Sequence, residues 1–145
     1  MRLVITDTGP VNYLILIGFI DLLPRLFDRV VLPSTVQKVL SHPKASELVR
    51  QWIASPPSWL EIYQAAPIEP VNGVDEGEAA VISLATALHP DLLLMDDRRG
   101  RIAAQREGFR VTGTLGVLDI AAERSLFSHT RSPPWSAPAS GFQRD

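Results

Sequence analysis

Leu92-Leu93-Leu94-Met95-Asp96-Asp97-Arg98-Arg99-Gly100-Arg101 runs from a wholly apolar segment into two adjacent acids and then into arginines. An unbroken apolar run bounded by a polar turn fits a strand buried on both faces, as in parallel sheets. That strand ends on carboxylates rather than on a neutral turn, so its neighbours must explain what the acids meet. Upstream, Arg2 to Thr6 is a short β-branched run stopped by Asp7-Thr8-Gly9-Pro10, and the Pro suits the first turn of a helix.

Working outward, Val11 to Ile17 predicts a helix broken by Gly18. Ile20 to Phe27 predicts a second, with Pro24 tolerated in its first turns. Val30 to Leu32 is a strand closed by Pro33, and Ser34 or Thr35 is placed to cap a helix through Leu40. Pro43 separates that helix from Ala45 to Ala54, and Leu60 to Tyr63 is a further strand. Asp75-Glu76-Gly77-Glu78 opens a helix to Leu88, stopped by His89-Pro90. After the Leu92 to Met95 strand come a helix from Arg99 to Glu107, its stop Gly108, a strand from Phe109 to Thr112, and a last helix from Leu115 to Glu123. This alternation implies right-handed crossovers and a mostly parallel sheet covered on both faces, an α/β fold. One domain over 1–127 is expected, followed by a Pro/Ser-rich tail over 128–145 in which Pro133-Pro134-Trp135 and Phe142 offer docking residues.

The chain has 145 residues, enough for one ordinary core. A net charge of −2 argues against non-specific attraction to nucleic acid, leaving room only for a local basic patch. The absence of cysteine excludes disulfides and thiolate metal sites. His42, His89 and His129 lack the close His partner of a zinc motif. Val11 to Leu23, interrupted by Asn12 and Asp21, falls short of the roughly 20 residues of a membrane span. Asp7 and Pro10 stand where a signal peptide would be unbroken and apolar, so a cytoplasmic protein is expected.

In a parallel sheet every strand ends at the same edge, which places Asp7 and the Asp96/Asp97 pair on one side. The helix from Glu76 runs against its following strand, so Glu78 in its first turn reaches that edge too. Spacings of four and seven put Glu78 on one face with Ile82 and Ala85, toward the protein. Gathered carboxylates repel one another unless something positive sits among them, and a hard divalent cation, Mg2+ or Mn2+, is the simplest remedy. Such an ion can orient or deprotonate water for attack on a phosphodiester. Arg98, Arg99 and Arg101 begin the next helix beside the same edge and suit phosphate oxygens. Each element also has a plainer reading. Asp7 fits an Asx-type turn, Asp75 with Glu78 a capping box, and one of Asp96/Asp97 the N-cap of the following helix.

Taken in order, five stretches resemble the PIN-domain superfamily of metal-dependent nucleases, most closely a small bacterial and archaeal branch of PIN-like nucleic-acid-binding proteins. They are Ile5-Thr6-Asp7-Thr8-Gly9-Pro10; Ile20-Asp21-Leu22-Leu23 with Val30-Val31-Leu32-Pro33; Asp75-Glu76-Gly77-Glu78-Ala79-Ala80; Leu93 to Arg101; and Val111-Thr112-Gly113-Thr114-Leu115-Gly116-Val117-Leu118. They span residues 3 to 126. The resemblance implies a three-layer α/β/α sandwich, an acidic Mg2+ or Mn2+ site and, in many members, a ribonuclease toxin that is dimeric and silenced by a small antitoxin. By position it assigns catalysis to Asp7, Glu78 and Asp97, and metal binding to these with Asp96 as neighbour or alternate. One departure stands out: the family often carries a further acid after the second strand, where this chain has Val39. Glu47 lies one helix later and is not taken as its substitute.

The leading reading is therefore a metal-dependent endoribonuclease acting on RNA, with DNA an alternative substrate, as a homodimer without membrane attachment. The second is a non-catalytic nucleic-acid-binding or antitoxin-partner module in which Arg98, Arg99, Arg101, Arg106 and Arg110 contact phosphates. The third, a receiver-like phosphoacceptor, needs a lysine at a late strand end, and Lys38 and Lys44 lie in early segments. The exposed side of the Val11 to Phe27 helices is apolar enough to suit a dimer interface.

Overall fold

Four short apolar runs and one two-residue strand pair side by side in the computed structural model, which describes residues 2–64 and 73–126. The strands are β1 (Leu3–Thr6), β2 (Arg29–Pro33), β3 (Leu60–Tyr63), β4 (Leu92–Leu94) and β5 (Val111–Thr112). Their order is β3-β2-β1-β4-β5, and each neighbouring pair is parallel. β1 and β4 are central, which is why their sequences are apolar without alternation: all four β1 residues are buried, as are Leu93 and Leu94.

The helices are α1 (Thr8–Leu16), α2 (Leu22–Leu26), α3 (Ser34–Leu40), α4 (Glu47–Ala54), α5 (Glu76–Leu88), α6 (Arg98–Arg106) and α7 (Thr114–Glu123). α1 packs with α3, α4 and α7, and α2 with α7, while α5 packs with α6 and against β1 and β2. The result is the expected three-layer α/β/α sandwich, with a core built around Val4, Ile5, Val31, Leu32, Leu93 and Leu94. α5 turns Ala79, Ala80, Val81, Ile82 and Ala85 inward, and its small alanines let the helix lie close to the sheet.

Several bounds differ from the sequence reading: α2 begins at Leu22 rather than Ile20, α4 at Glu47 rather than Ala45, and β5 is only Val111–Thr112, and the starts of α3 and α1 differ as well. α3 begins at Ser34 itself, with Pro33 at the N-cap position, so neither Ser34 nor Thr35 caps it; Ser34 is buried instead. α1 begins earlier than Val11, at Thr8, and takes Pro10 into its first turn, where a missing N–H costs nothing. Gly108 does end α6, at φ 89°, a left-handed conformation that a β-carbon disfavours. The 128–145 segment, with Pro133-Pro134-Trp135, Phe142 and His129, lies outside the described residues. Among the described residues no helix is long and apolar enough to cross a membrane.

Candidate functional site

Strand order fixes where a cleft can open. The chain leaves β1 toward β2 and β3, then returns to the other side of β1 to lay down β4 and β5. The crossovers after β1 and β4 therefore diverge, which leaves a crevice beyond the C-terminal ends of these two strands. Asp7 N–H donates to Leu94 O at 2.9 Å across this junction, so Asp7 sits where β1 and β4 end together. Asp96 and Asp97 follow β4 after Met95, and the start of α5 brings its N-cap Asp75 and its first-turn Glu78 to the same place.

These acids differ in how they are held. Asp75 and Glu78 form a reciprocal capping box: Glu78 N–H donates to Asp75 Oδ1 at 2.7 Å, and Asp75 N–H donates to Glu78 Oε1 at 3.1 Å. The plainer reading of Glu78 is thus present, yet the residue is also buried and lies close enough to Asp7 and Asp97 for their charges to act on it. Asp97 Oδ2 accepts from Gly100 N–H at 3.1 Å and caps α6. Asp96 turns the other way. Its Oδ1 and Oδ2 accept from the Thr114 N–H and hydroxyl at 2.7 and 2.6 Å, so it closes the start of α7 from a distant segment. Both Asp96 oxygens being engaged, the cleft position belongs to Asp97.

Asp7 is the exception. It precedes α1 without capping it, and its carboxylate is buried. Burial pushes Asp7 up to about 6; the Thr8 backbone N–H opposes the rise, and the charges of Asp75, Asp97 and Asp96 add to it. Burial likewise pushes Glu78 up to about 7, opposed by its bond to the Asp75 backbone and reinforced by Asp75, Asp7 and Asp97. Among the described residues the one ion pair is Arg29 with Glu61, on β2 and β3, so none of the cleft acids has a cationic side chain to neutralise it. Nor do three of them stand close enough together to form a ready-made cation cage.

Glycines make the space. A β-carbon at Gly77 would stand 3.2 Å from Asp7 Oδ1 and 3.5 Å from Asp75 Oδ1. One at Gly113 would stand 2.5 Å from Asp96 Oδ1, and one at Gly9 3.3 Å from Asp96 Oδ2. A cavity of about 430 Å3 opens beside the acids, lined by Gly73, Val74, Asp75, Glu78, Asp97 and Arg99. Of the three arginines read as phosphate contacts, Arg99 alone lines it; Arg98 is exposed elsewhere on the first turn of α6, and Arg101 is half-buried. Val39 is 45% exposed.

Topology sends Asp7, Glu78, Asp97 and Arg99 to one sheet edge; in the structure Glu78, Asp97 and Arg99 line one cavity, and Asp7 lies close enough to Glu78 and Asp97 for their charges to act on one another. It missed Thr114 and the cleft position of Asp75. Asp75 was legible only as half of a capping box, and nothing in the spacing of Asp96 and Thr114, eighteen residues apart, announces their bond.

A family model described as a PIN domain matches residues 3–132. Among solved structures, a PilT N-terminus domain protein from the hyperthermophilic archaeon Sulfolobus solfataricus P2 is similar over 90% of this chain and 100% of its own, with a TM-score of 0.61 and 12% identity. At that identity the likeness speaks for the fold alone. No curated protein matches.

Proposed function

The chain belongs to the PIN-domain family, and from that premise we propose that it is a metal-dependent endoribonuclease whose cleft is built by Asp7, Glu78 and Asp97. One observation carries the reading: acids from three separate segments, two of them buried, converge at the β1/β4 switch point with no cationic side chain paired to them among the described residues.

The donor chemistry suits Mg2+ or Mn2+, but no three of the described acids stand together as a finished site, so the carboxyls must draw in around the ion. Every group is a carboxylate, the hard oxygen ligand these ions prefer, and the glycines at 77 and 100 remove the β-carbons that would crowd Asp7 and Glu78. Asp7, Glu78 and Asp97 would hold the ion, with Asp96 kept on Thr114 as a support for the wall. When bound, the ion supplies charge neutralisation at the phosphoryl oxygens and a water of lowered pKa. The remaining work falls to the chain. Arg99, on the rim beside Asp97, receives a phosphate oxygen of the RNA and orients the scissile bond; Arg98 and Arg101 extend the basic surface on α6. The cap bonds of Asp97 and Glu78 hold their carboxyls toward the cleft before substrate arrives.

In this reading the protein works in the cytoplasm as the toxin of a toxin–antitoxin pair. It is a homodimer silenced by a small antitoxin, with Tyr13, Leu16 and Ile17 of α1 and its C-cap offering exposed apolar surface for such contacts. RNA is preferred to DNA as the substrate.

The test is cleavage of a single-stranded RNA in Mn2+ by the parent and by Asp7→Asn and Asp97→Asn. Asn caps a helix about as well as Asp, so the second variant keeps α6 intact. Loss of cleavage in folded variants supports the site, and undiminished cleavage in both dismisses it. A second reading follows from Val39, which stands exposed where the family often has an acid. It makes the protein a salt-sensitive RNA-binding module without turnover, and Mn2+ that binds without producing cleavage would favour it.

A further inference from the structure

We propose that the exposed face of α6 is a track for a single strand of RNA, entered at Arg99 on the rim of the cleft and followed past Ile102 to Arg106 and Arg110; the proposal rests on the reading that RNA is the substrate. Arg98, Arg99, Arg101, Arg106 and Arg110 are five of the chain's 14 Lys and Arg, and only Glu107 opposes them between residues 98 and 110, although the whole chain has a net charge of −2. Positive charge is gathered here against the average of the molecule.

Helical spacing sorts these residues. At about 100° per residue, Arg99 and Arg106 lie within about 20° of each other, with about 10 Å of helix between them. Ile102 falls between this line and Arg98, and all four are exposed, Ile102 by 36%. Gly100 and Ala104 turn the other way and are buried. The line starts at the cavity, which Arg99 lines, and crosses the helix layer toward the opposite edge of the sheet. There Arg110 stands exposed just before β5, its carbonyl accepting from Leu93 N–H at 2.8 Å.

No carboxylate answers these cations. Among the described residues the one ion pair is Arg29 with Glu61, and α5, which packs with α6, carries no acid after Glu78. A row of like charges repels itself, and a polyanion laid along it removes that repulsion while shedding its own counterions. Ile102 selects the kind of strand. A duplex turns its stacked bases inward and offers phosphates, which give an apolar side chain among the cations nothing to meet. An unpaired base lays its apolar face on Ile102 while the phosphates to either side meet Arg99 and Arg106.

The probe is a fluorescently labelled single-stranded RNA of about 12 nucleotides, alone or annealed to its complement, followed by anisotropy in chelator so that binding is read apart from cleavage. Across a salt series Arg106→Ala and Arg110→Ala each lower the slope of log affinity against log salt by about 0.7, the share of one phosphate in a single strand. Ile102→Ser weakens the single strand at least about 3-fold with no change of slope, and leaves the duplex as it was. Lys44→Ala, at an exposed position between α3 and α4, changes neither quantity. Slopes equal to the parent's in both arginine variants, or an equal loss in Lys44→Ala, would overturn the track. A duplex bound as tightly as the single strand overturns the choice of strand. A parent that binds no RNA overturns the substrate reading and the track with it, whereas a parent that binds along α6 and cuts nothing upholds the track and dismisses cleavage alone.

Discussion

The carboxyl of Glu78 lies directly against the α-carbon of Gly100: a β-carbon built there would stand 2.8 Å from Glu78 Cδ and 3.0 Å from Glu78 Oε2. Gly100 also gives its backbone N–H to Asp97. One residue without a side chain therefore joins two acids of the cleft, touching the first through empty space and the second through a hydrogen bond.

Gly100→Ala tests that joint. In an ordinary helix the change stabilises by about 1 kcal/mol. Here the new methyl meets a buried carboxyl, and the expected outcome is a loss of about 1–3 kcal/mol in a urea titration, with Mn2+ uptake weakened as Glu78 is pushed aside. A stabilised variant with unchanged Mn2+ affinity would mean that Glu78 moves freely and that the contact is incidental.

Asp7 and Glu78 tie stability to pH. Both are acids whose values in the folded chain, about 6 and about 7, lie above the ordinary 3.8 and 4.5. Between those limits the folded protein holds more protons than the unfolded one, so this contribution is full below about pH 4 and is lost as pH rises through about 7. In chelator, Asp7→Asn should gain stability over the parent from about pH 4 to about pH 6 and then hold that gain, because Asn has no proton to lose while Asp7 is 3.8 in the free residue and about 6 when buried. Urea midpoints at a series of pH values measure the gap. A gap that stays constant with pH would contradict the buried, proton-hungry state of Asp7.

Thr114→Val removes the hydroxyl that donates to Asp96 Oδ2 and preserves the shape of the side chain. One of the two donors on Asp96 is lost, at an expected cost of about 1–3 kcal/mol, whereas Thr114→Ser keeps the bond and most of the stability. Thermal melting of the two variants separates the hydrogen bond from the packing of the methyl group. A Val variant that melts with the parent beside a Ser variant that melts lower would assign the effect to the methyl alone.

Arg99 and Arg98 are neighbours on one helix with different surroundings, since only Arg99 lines the cavity. Arg99→Ala should reduce the salt dependence of RNA binding by about one counterion and slow cleavage more than Arg98→Ala does. Filter binding across a salt series gives the slope. Identical slopes for the two variants would place the RNA elsewhere.

The sheet was legible because its central strands are buried on both faces and say so in their composition: Leu3 to Thr6 and Leu92 to Leu94 have no polar alternation to confuse them. The helices were legible from their stops, Gly18, Pro43 and Gly108, to within a few residues. Ser34 misled because a small hydroxyl before a helix resembles a cap, whereas burial against the end of β2 decided its place. The acids could be sent to one edge from topology alone. Which of Asp96 and Asp97 enters the cleft could not, because the choice depends on Thr114, whose segment meets Asp96 only after β5 has docked beside β4.

Asp75 and Asp97 each close the start of a helix, and Asp96 closes a third across the fold. A lineage without the proposed nuclease activity would still pay in foldability for discarding them. Their survival in a descendant thus records the demands of architecture as well as those of chemistry. Asp7 closes no helix and is costly to keep ionised, so its persistence or disappearance is the better witness to whether an ancestral activity is still in use.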